Sequence, residues 1–468
     1  MKKRIIISLF LFILIITSGF GCKLTDKKTQ EAVKPITLNY WRVWDGPDAF
    51  SEIIDNYKRL HPFITIEYRK LRYSEYEKEL LEALAEDKGP DIFSIHNTWL
   101  KKYESKIAPM PPQITMAYPV TKGTIKKETM PELRTTKSIS LKELKDNFID
   151  VVYSDVLLDV YDDKTGKSVE RVFALPLAID TLAMYYNKDL LNNAGIAKPP
   201  IYWNREFQLA VKSLTKQDTK GQIIQSGIAL GTSNNIERYS DILSILMMQN
   251  GAIMMDEAGR VTFDKIPESL KNLKYNPGLG ALNFYTDFSN PAKEVYSWNS
   301  ELENSLDMFI AGRLAIMLGY SYDLPTIKAR APKLNFSIAK LPQIEDNPKS
   351  INFANYWVEG VSNKSKYINE AWDFIQFATK EEYVESYLAK TKKPTALRSL
   401  VNEQIEDMDI GVFAEQVLTA QSWYRGVDSN AAELIIGEMI DSVSGGEENI
   451  EDIIRLGVKR VQQTINKN

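Results

Sequence analysis

The chain has 468 residues, with 58 Lys plus Arg against 62 Asp plus Glu and a formal net charge of -4, and its 44% hydrophobic and 26% charged content is the balance of a soluble globular protein. That length predicts two or three domains, and the slight acidic excess excludes an electrostatic nucleic-acid binder, which needs a basic surface. A single Cys excludes an internal disulfide framework and a Cys-cluster metal site, and the two His, at 61 and 96, leave no HExxH motif.

Lys2, Lys3 and Arg4 open the chain, followed by an apolar run from Ile5 to Ile16 broken only by Ser8. The run is too short to span about 30 Å of hydrocarbon but has the length of a signal-peptide core. Small residues follow, then the sole cysteine, Cys22. That arrangement resembles a bacterial lipobox, although Gly19 stands where the motif usually carries Leu. It implies a signal peptide over 1–21, lipid attachment at Cys22 and a body anchored outside the cytoplasmic membrane. The other reading is an uncleaved anchor helix with an unpaired Cys. Residues 22–34 are polar with no apolar period and read as a flexible tether.

From Ile36 the pattern alternates strand and helix. Ile36, Leu38 and Tyr40 predict a strand. Pro47 opens a helix with Phe50, Ile53, Ile54, Tyr57 and Leu60 on one face. Ile64, Ile66 and Tyr68 form the next strand, Ser74 and Glu77 suggest a capping box for a helix carrying Leu80, Leu81 and Leu84, and Ile92 to Ile95 is a short buried strand. Such a run implies an α/β fold with a parallel, doubly wound sheet and ligands beyond the carboxyl ends of its strands, where Trp44, Asp45, Asn97 and Trp99 fall. Pro109, Pro111, Pro112, Pro119 and Pro131 deny residues 107–140 a regular element, so 107–169 reads as a surface insertion. Further on, Ile368, Trp372 and Ile375 share a helical face, which makes Trp372 core, and Ile450 to Ile465 is an amphipathic stripe. Trp298 has polar neighbours and no apolar period, so it reads as exposed or ligand-facing.

The segments Gly89-Pro90-Asp91-Ile92, Phe173-Ala174-Leu175-Pro176-Leu177-Ala178-Ile179-Asp180-Thr181, Met184-Tyr185-Tyr186-Asn187-Lys188-Asp189-Leu190-Leu191, Met308 to Met317, and Val361 to Ser365 with Ala371 to Ile375 resemble, in order, the bacterial extracellular solute-binding proteins of family 1, the maltose and multiple-sugar type. The resemblance implies two α/β lobes, each a mostly parallel sheet flanked by helices, closing on a ligand held between them. The first lobe would take 35–178 with 322–365 and the second 183–318 with 366–468. The chain would cross between them near Pro176 to Leu182, near Gly319 to Asp323 and once more in the C-terminal third. The implied protein is a monomer that captures a carbohydrate and hands it to the membrane permease subunits of an ATP-driven (ABC) importer, with no cofactor.

Sugar rings need aromatic plates and hydrogen-bonding edges. The resemblance places Asn97, Trp99, Asp180, Tyr320 and Trp423 beside Trp44 and Asp45 as ligand contacts, and Trp357 and Glu359, standing where the family often has small residues, would narrow the site. Asp180 could equally be a capping Asp, Trp357 sheet core, and Trp423 with Tyr424 a buried aromatic pair. The sequence has no GxSxG elbow, phosphate loop or GxGxxG after a strand. The rival class is a secreted glycosidase, with Asp45, Asp180 or Glu359 as its carboxylates; a non-sugar solute in the same fold is the other alternative.

Overall fold

The computed structural model describes residues 27–122, 127–163, 166–446 and 449–466. The expectations for the signal peptide and for Cys22 lie outside the described residues. Within the tether, Lys27–Ala32 is a short helix with Thr29 buried, not free coil.

The first sheet follows the predicted alternation. Ile36–Val43 lies between Ile64–Leu71 and Ile92–His96, parallel to both, and pairs in register from Ile36 with Ile64 to Val43 with Leu71. Pro47–Leu60 starts on its proline, whose missing N–H is no loss in a first turn, and buries Phe50, Ile53 and Tyr57 against this sheet. Tyr73–Ala85 buries Tyr76, Leu80 and Leu84, but its N-cap is Arg72 with no side-chain bond. The capping box expected at Ser74 and Glu77 is absent, and one forms instead at Ser140 and Glu143. Trp357–Val361, returning from the other lobe, is antiparallel to Ile92–His96, and Ala174–Leu175 pairs antiparallel with it and so runs in the direction of the first three strands. The second sheet runs in the order Lys216–Gln217, Ile223–Ile228, Leu314–Gly319, Ala183–Asn187, Phe336–Ala339, with only the pairing of Ile223–Ile228 and Leu314–Gly319 parallel. The fold is the two-lobed α/β architecture, with sheets more mixed than the sequence implies.

Residues 107–169 are not irregular. Gln113–Lys122 and Glu128–Lys137 form a hairpin in unbroken register, and Leu157–Asp162 pairs with Lys167–Val172 in a second. The prolines fit because Pro119 lies opposite Pro131, a position that asks neither residue for an N–H donor. Thr115 meets Thr135 across the strands at 2.7 Å, while Ile114 and Met116 are buried in the first core.

Two cores divide the chain differently from the sequence reading. Leu324, Ile327 and Leu341 belong to the second core, whereas Trp372, Ile375, Tyr387 and Val401 belong to the first. Trp372 is buried as expected and donates its indole N–H to Ala108 O at 3.2 Å. Trp298 is also fully buried, against the expectation, with its N–H on Asn235 Oδ1 at 2.9 Å, while the neighbouring Ser297 hydroxyl donates to Ile228 O at 3.1 Å.

Between the cores the chain crosses on three short strands, Asp180–Thr181, Asn352–Asn355 and Ala420–Gln421, with Asn352–Asn355 in the middle. The crossing expected at 319–323 falls later, because Leu314–Gly319 and Asp323–Arg330 both stay in the second lobe.

Candidate functional site

Where the three strands cross, the lobes enclose a cleft of about 690 Å³, a figure that includes space open to solvent. The first lobe contributes Tyr73, His96, Thr98 and Trp99, the crossing strands contribute Phe353, Ala354 and Asn355, and the second lobe contributes Arg238, Asp241, Trp423 and Glu433.

The first-lobe wall is aromatic. Trp357 stands edge-on to Trp99 (5.4 Å between centroids), His96 (5.7 Å), Tyr73 (6.2 Å) and Trp44 (6.5 Å). It supports the wall rather than lining the cleft. Such arrangements fix ring orientation because each aromatic edge is positive and each face negative. Beneath them lies an ion cluster: Arg42 contacts Asp45 at 3.1 Å and Glu359 at 3.0 Å, Lys393 reaches Asp45 at 2.6 Å, and the Tyr387 hydroxyl donates to Asp45 at 2.8 Å. Burial pushes the Asp45 carboxyl up, but Arg42 and Lys393 outweigh it and hold the group below its ordinary range. Burial dominates at Glu359 and leaves it raised, against the pull of Arg42.

The second-lobe wall is polar. Arg238 sits in the left-handed region (φ 55°) ahead of the helix Tyr239–Gln249 and grips Asp241 with two bonds of 2.9 and 2.8 Å. Its remaining arm meets Glu433 at 3.1 Å. Asp241 also accepts from the Tyr320 hydroxyl at 2.7 Å. Burial raises the Asp241 carboxyl, Arg238 more than offsets that, and the net direction is down. Asn355 joins the walls: its Oδ1 lies 3.1 Å from His96 Nε2 and its Nδ2 3.4 Å from Asp241. Burial pushes His96 down to about 4, so near neutral pH the ring is uncharged.

The expectations for Asp45 and Glu359 as ligand acceptors need correction, since both are enclosed in the ion cluster with internal partners and neither lines the cleft. Asp180 is likewise committed. It accepts from the Ser321 N–H at 2.9 Å and the Ser321 hydroxyl at 2.7 Å, beside the crossing, and burial pushes it up to about 6. Tyr320 is fully buried and reaches the cleft only through Asp241. Asn97 donates to Asp155 at 3.0 Å, a carboxylate that also takes the hydroxyls of Tyr356 and Ser422 and so fastens the third crossing strand to the first lobe. Trp99 and Trp423 do line the cleft. Trp423 is at the same time 8% exposed, part of the second core, and bonded to Ser244 Oγ at 3.0 Å. Trp423 thus borders the cleft while most of its ring packs in the second core, as the buried-pair reading expects.

The sequence pattern of the bacterial extracellular solute-binding proteins matches residues 44–385. The chain belongs to that family. Its relatives include the multiple sugar-binding protein of Streptococcus mutans, 24% identical over 232 residues that make up 49% of this chain and 53% of that protein. Another is the sn-glycerol-3-phosphate-binding periplasmic protein of Yersinia pseudotuberculosis, 24% identical over 53% of this chain and 54% of that one. The chain thus spans about half the length of the curated relatives it matches. Among solved structures, the cyclic α-maltosyl-1,6-maltose binding protein of Arthrobacter globiformis superposes with a TM-score of 0.69 at 18% identity, covering 92% of this chain and 99% of that one. The sugar-binding protein MalE of Xanthomonas citri gives 0.68 at 16%, covering 92% and 97%. These likenesses show the fold. The family and these neighbours are binding proteins.

For this solute-binding protein, sequence reasoning missed Tyr73, His96, Arg238, Asp241, Asn355 and Glu433. One local signal existed: Arg238 and Asp241 stand three apart at a helix start, the spacing of a facing pair. Glu433 and Asn355 join the site only through tertiary folding. Among the described residues, no group of His, Cys, Asp or Glu could hold a metal ion, and no helix is long and apolar enough to cross a membrane.

Proposed function

We propose that this protein captures a carbohydrate outside the cytoplasmic membrane and delivers it to the permease subunits of an ATP-driven importer. It works as a monomer tethered by lipid at Cys22. The observation that carries the reading is the composition of the cleft: aromatic rings at Tyr73, Trp99 and Trp423 together with the acceptors Asp241, Glu433 and Asn355. Apolar C–H faces of a sugar match the former and its hydroxyls the latter. The sugar ligands named for the Streptococcus relative and the Arthrobacter structure support the same class. A phosphate ligand fits less well. Arg238 is the one Arg or Lys among the described cleft-lining residues, and two carboxylates already hold it.

A glycosidase is disfavoured on the same grounds. It needs one carboxyl kept protonated and a second free to attack or to activate water. Here burial pushes Glu433 up and Arg238 holds Asp241 down, but both carboxylates are tied to the same guanidinium, which leaves neither free to attack or to activate water. Titration with neutral mono- and oligosaccharides, with product analysis after incubation, tests the reading. Saturable binding of unaltered sugar supports it; chain shortening, or preference for sn-glycerol-3-phosphate over every sugar, overturns it. Cys22→Ser should release the protein from the membrane fraction or leave an uncleaved precursor. A Ser variant anchored like wild type would refute the lipid tether.

A further inference from the structure

The helix Lys27–Ala32 starts five positions after Cys22, and it is docked rather than free. It packs on both strands of the insertion hairpin, Gln113–Lys122 and Glu128–Lys137, with Thr29 buried. Glu31, Ala32 and Lys34 share a cavity with His61, Thr115 and Met116. The hairpin is seated on the first core through Ile114 and Met116, so the helix is fixed to the body of the first lobe. Docking sets the reach of an anchor at Cys22. An extended chain spans at most about 3.5 Å per residue, so the steps from Cys22 to Lys27 allow about 17 Å, against about 45 Å for a chain loose as far as Pro35.

Charge selects the same face. The whole chain carries -4, yet residues 27–34, 113–122 and 127–137 hold seven Lys or Arg against three Glu. Lys27, Lys28, Lys34, Lys122 and Lys127 are all exposed. A basic patch on an acidic protein is attracted to an anionic leaflet once it lies within a Debye length of it. The position also leaves the cleft clear. Helix and hairpin lie beside Ile36 and Ile64, where the first two strands begin. The cleft residues Tyr73, His96 and Trp99 lie at or past the opposite, carboxyl ends of the strands.

We propose that the helix Lys27–Ala32 and the hairpin form a membrane-docking surface that rests on anionic lipid headgroups and holds the first lobe against the bilayer. The inference rests on the lipid tether proposed above. Its occupant is the bilayer itself, because an anchor within about 17 Å leaves no room for a folded partner in between.

The test uses the lipidated protein in vesicles containing a trace of headgroup-labelled acceptor lipid. Lipid occupies the thiol of Cys22, the sole cysteine, so an added cysteine takes a single donor dye. Thr121→Cys marks the hairpin, and Glu257→Cys marks an exposed loop of the second lobe. Bilayers of phosphatidylglycerol with phosphatidylcholine should quench the hairpin dye about threefold more than the second-lobe dye, and the ratio should drop on phosphatidylcholine alone. Thr29→Arg should bring the ratio close to one on the anionic bilayer. Arginine cannot be buried there, undocking restores the long tether, and the added charge works against this result. Lys27→Gln with Lys28→Gln, which leaves Thr29 in place, should lower the ratio as neutral lipid does. Equal quenching of the two dyes, a ratio unchanged on neutral lipid, or a Thr29→Arg protein as asymmetric as wild type overturns the docking surface and leaves the tether standing. A protein whose Cys22 carries no lipid by mass spectrometry, and which washes off the vesicles, overturns both.

Discussion

The two walls of the cleft are built on opposite principles. The first-lobe wall is a set of aromatic rings held edge to face around Trp357, resting on the ion cluster of Arg42, Asp45, Glu359 and Lys393. The second-lobe wall is a chain of charges and amides from Glu433 through Arg238 and Asp241 to Asn355, with Trp423 as its main aromatic. In the first lobe the charges lie hidden beneath the rings; in the second the charges themselves face the cleft. One wall can accept the flat faces of a ligand and the other its hydroxyl edges, so the site is complete only when both lobes are in place.

Four substitutions would break or sharpen that contrast. Arg42→Met leaves Asp45 and Glu359 buried side by side without their cation. It should cost about 3–5 kcal/mol of stability, read by chemical denaturation. A variant as stable as wild type would mean that the cluster is not what holds the aromatic wall. Next in size is Trp423→Ala, which should lower stability by about 3 kcal/mol and sugar affinity about tenfold, since the ring serves core and cleft together. A drop in only one measurement would assign Trp423 to one role.

The third concerns pH. Burial pushes the Asp323 carboxyl up to about 7, with the Tyr320 N–H opposing and Glu237 and Asp180 adding to the rise. The unfolded chain releases this proton near pH 3.9 and the folded chain holds it to about 7, so the folded state binds more protons in between and stability falls as pH rises through that window. Asp323→Asn removes the penalty. It should stabilise the protein by about 1–3 kcal/mol above pH 7, with the gain vanishing below about pH 4 in melts across that range. A pH-independent gain would show that the carboxyl does not titrate there. The smallest effect belongs to Glu433→Gln, which keeps an acceptor but loses the charge. Sugar affinity should fall about fivefold, close to 1 kcal/mol, with little change in melting. Unchanged affinity would remove Glu433 from the polar wall.

Much of the fold was legible from the sequence because local patterns carry it. Pro47 with Phe50, Ile53 and Tyr57, and the alternation from Ile36, needed no partner to be read. The insertion was misread because proline was taken to break a strand, although a two-stranded hairpin has edges where proline is harmless. The site was only half legible. Trp99 and Trp423 could be placed from neighbouring motifs, but Asp45 and Glu359 looked available until Arg42 and Lys393 appeared beside them. Whether a carboxylate faces ligand or an internal cation depends on residues hundreds of positions away, as the pairing of Asp45 with Lys393 illustrates. Asn355 and His96 are likewise 259 positions apart.

The three crossing strands also govern when the protein can finish folding. Neither lobe is one continuous stretch: the first core draws on Leu38 and on Val401, the second on Leu182 and on Val461. The helices Ser429–Ser444 and Ile450–Gln463 supply Ile435, Ile436, Met439, Ile440, Ile454 and Val461 to the second core. That core therefore stays open during synthesis until the chain has grown past residue 463. Contacts so distant in sequence make folding slow, because long loops must close before they are rewarded. The interleaving that builds the cleft therefore also postpones closure of the second core to the very end of the chain.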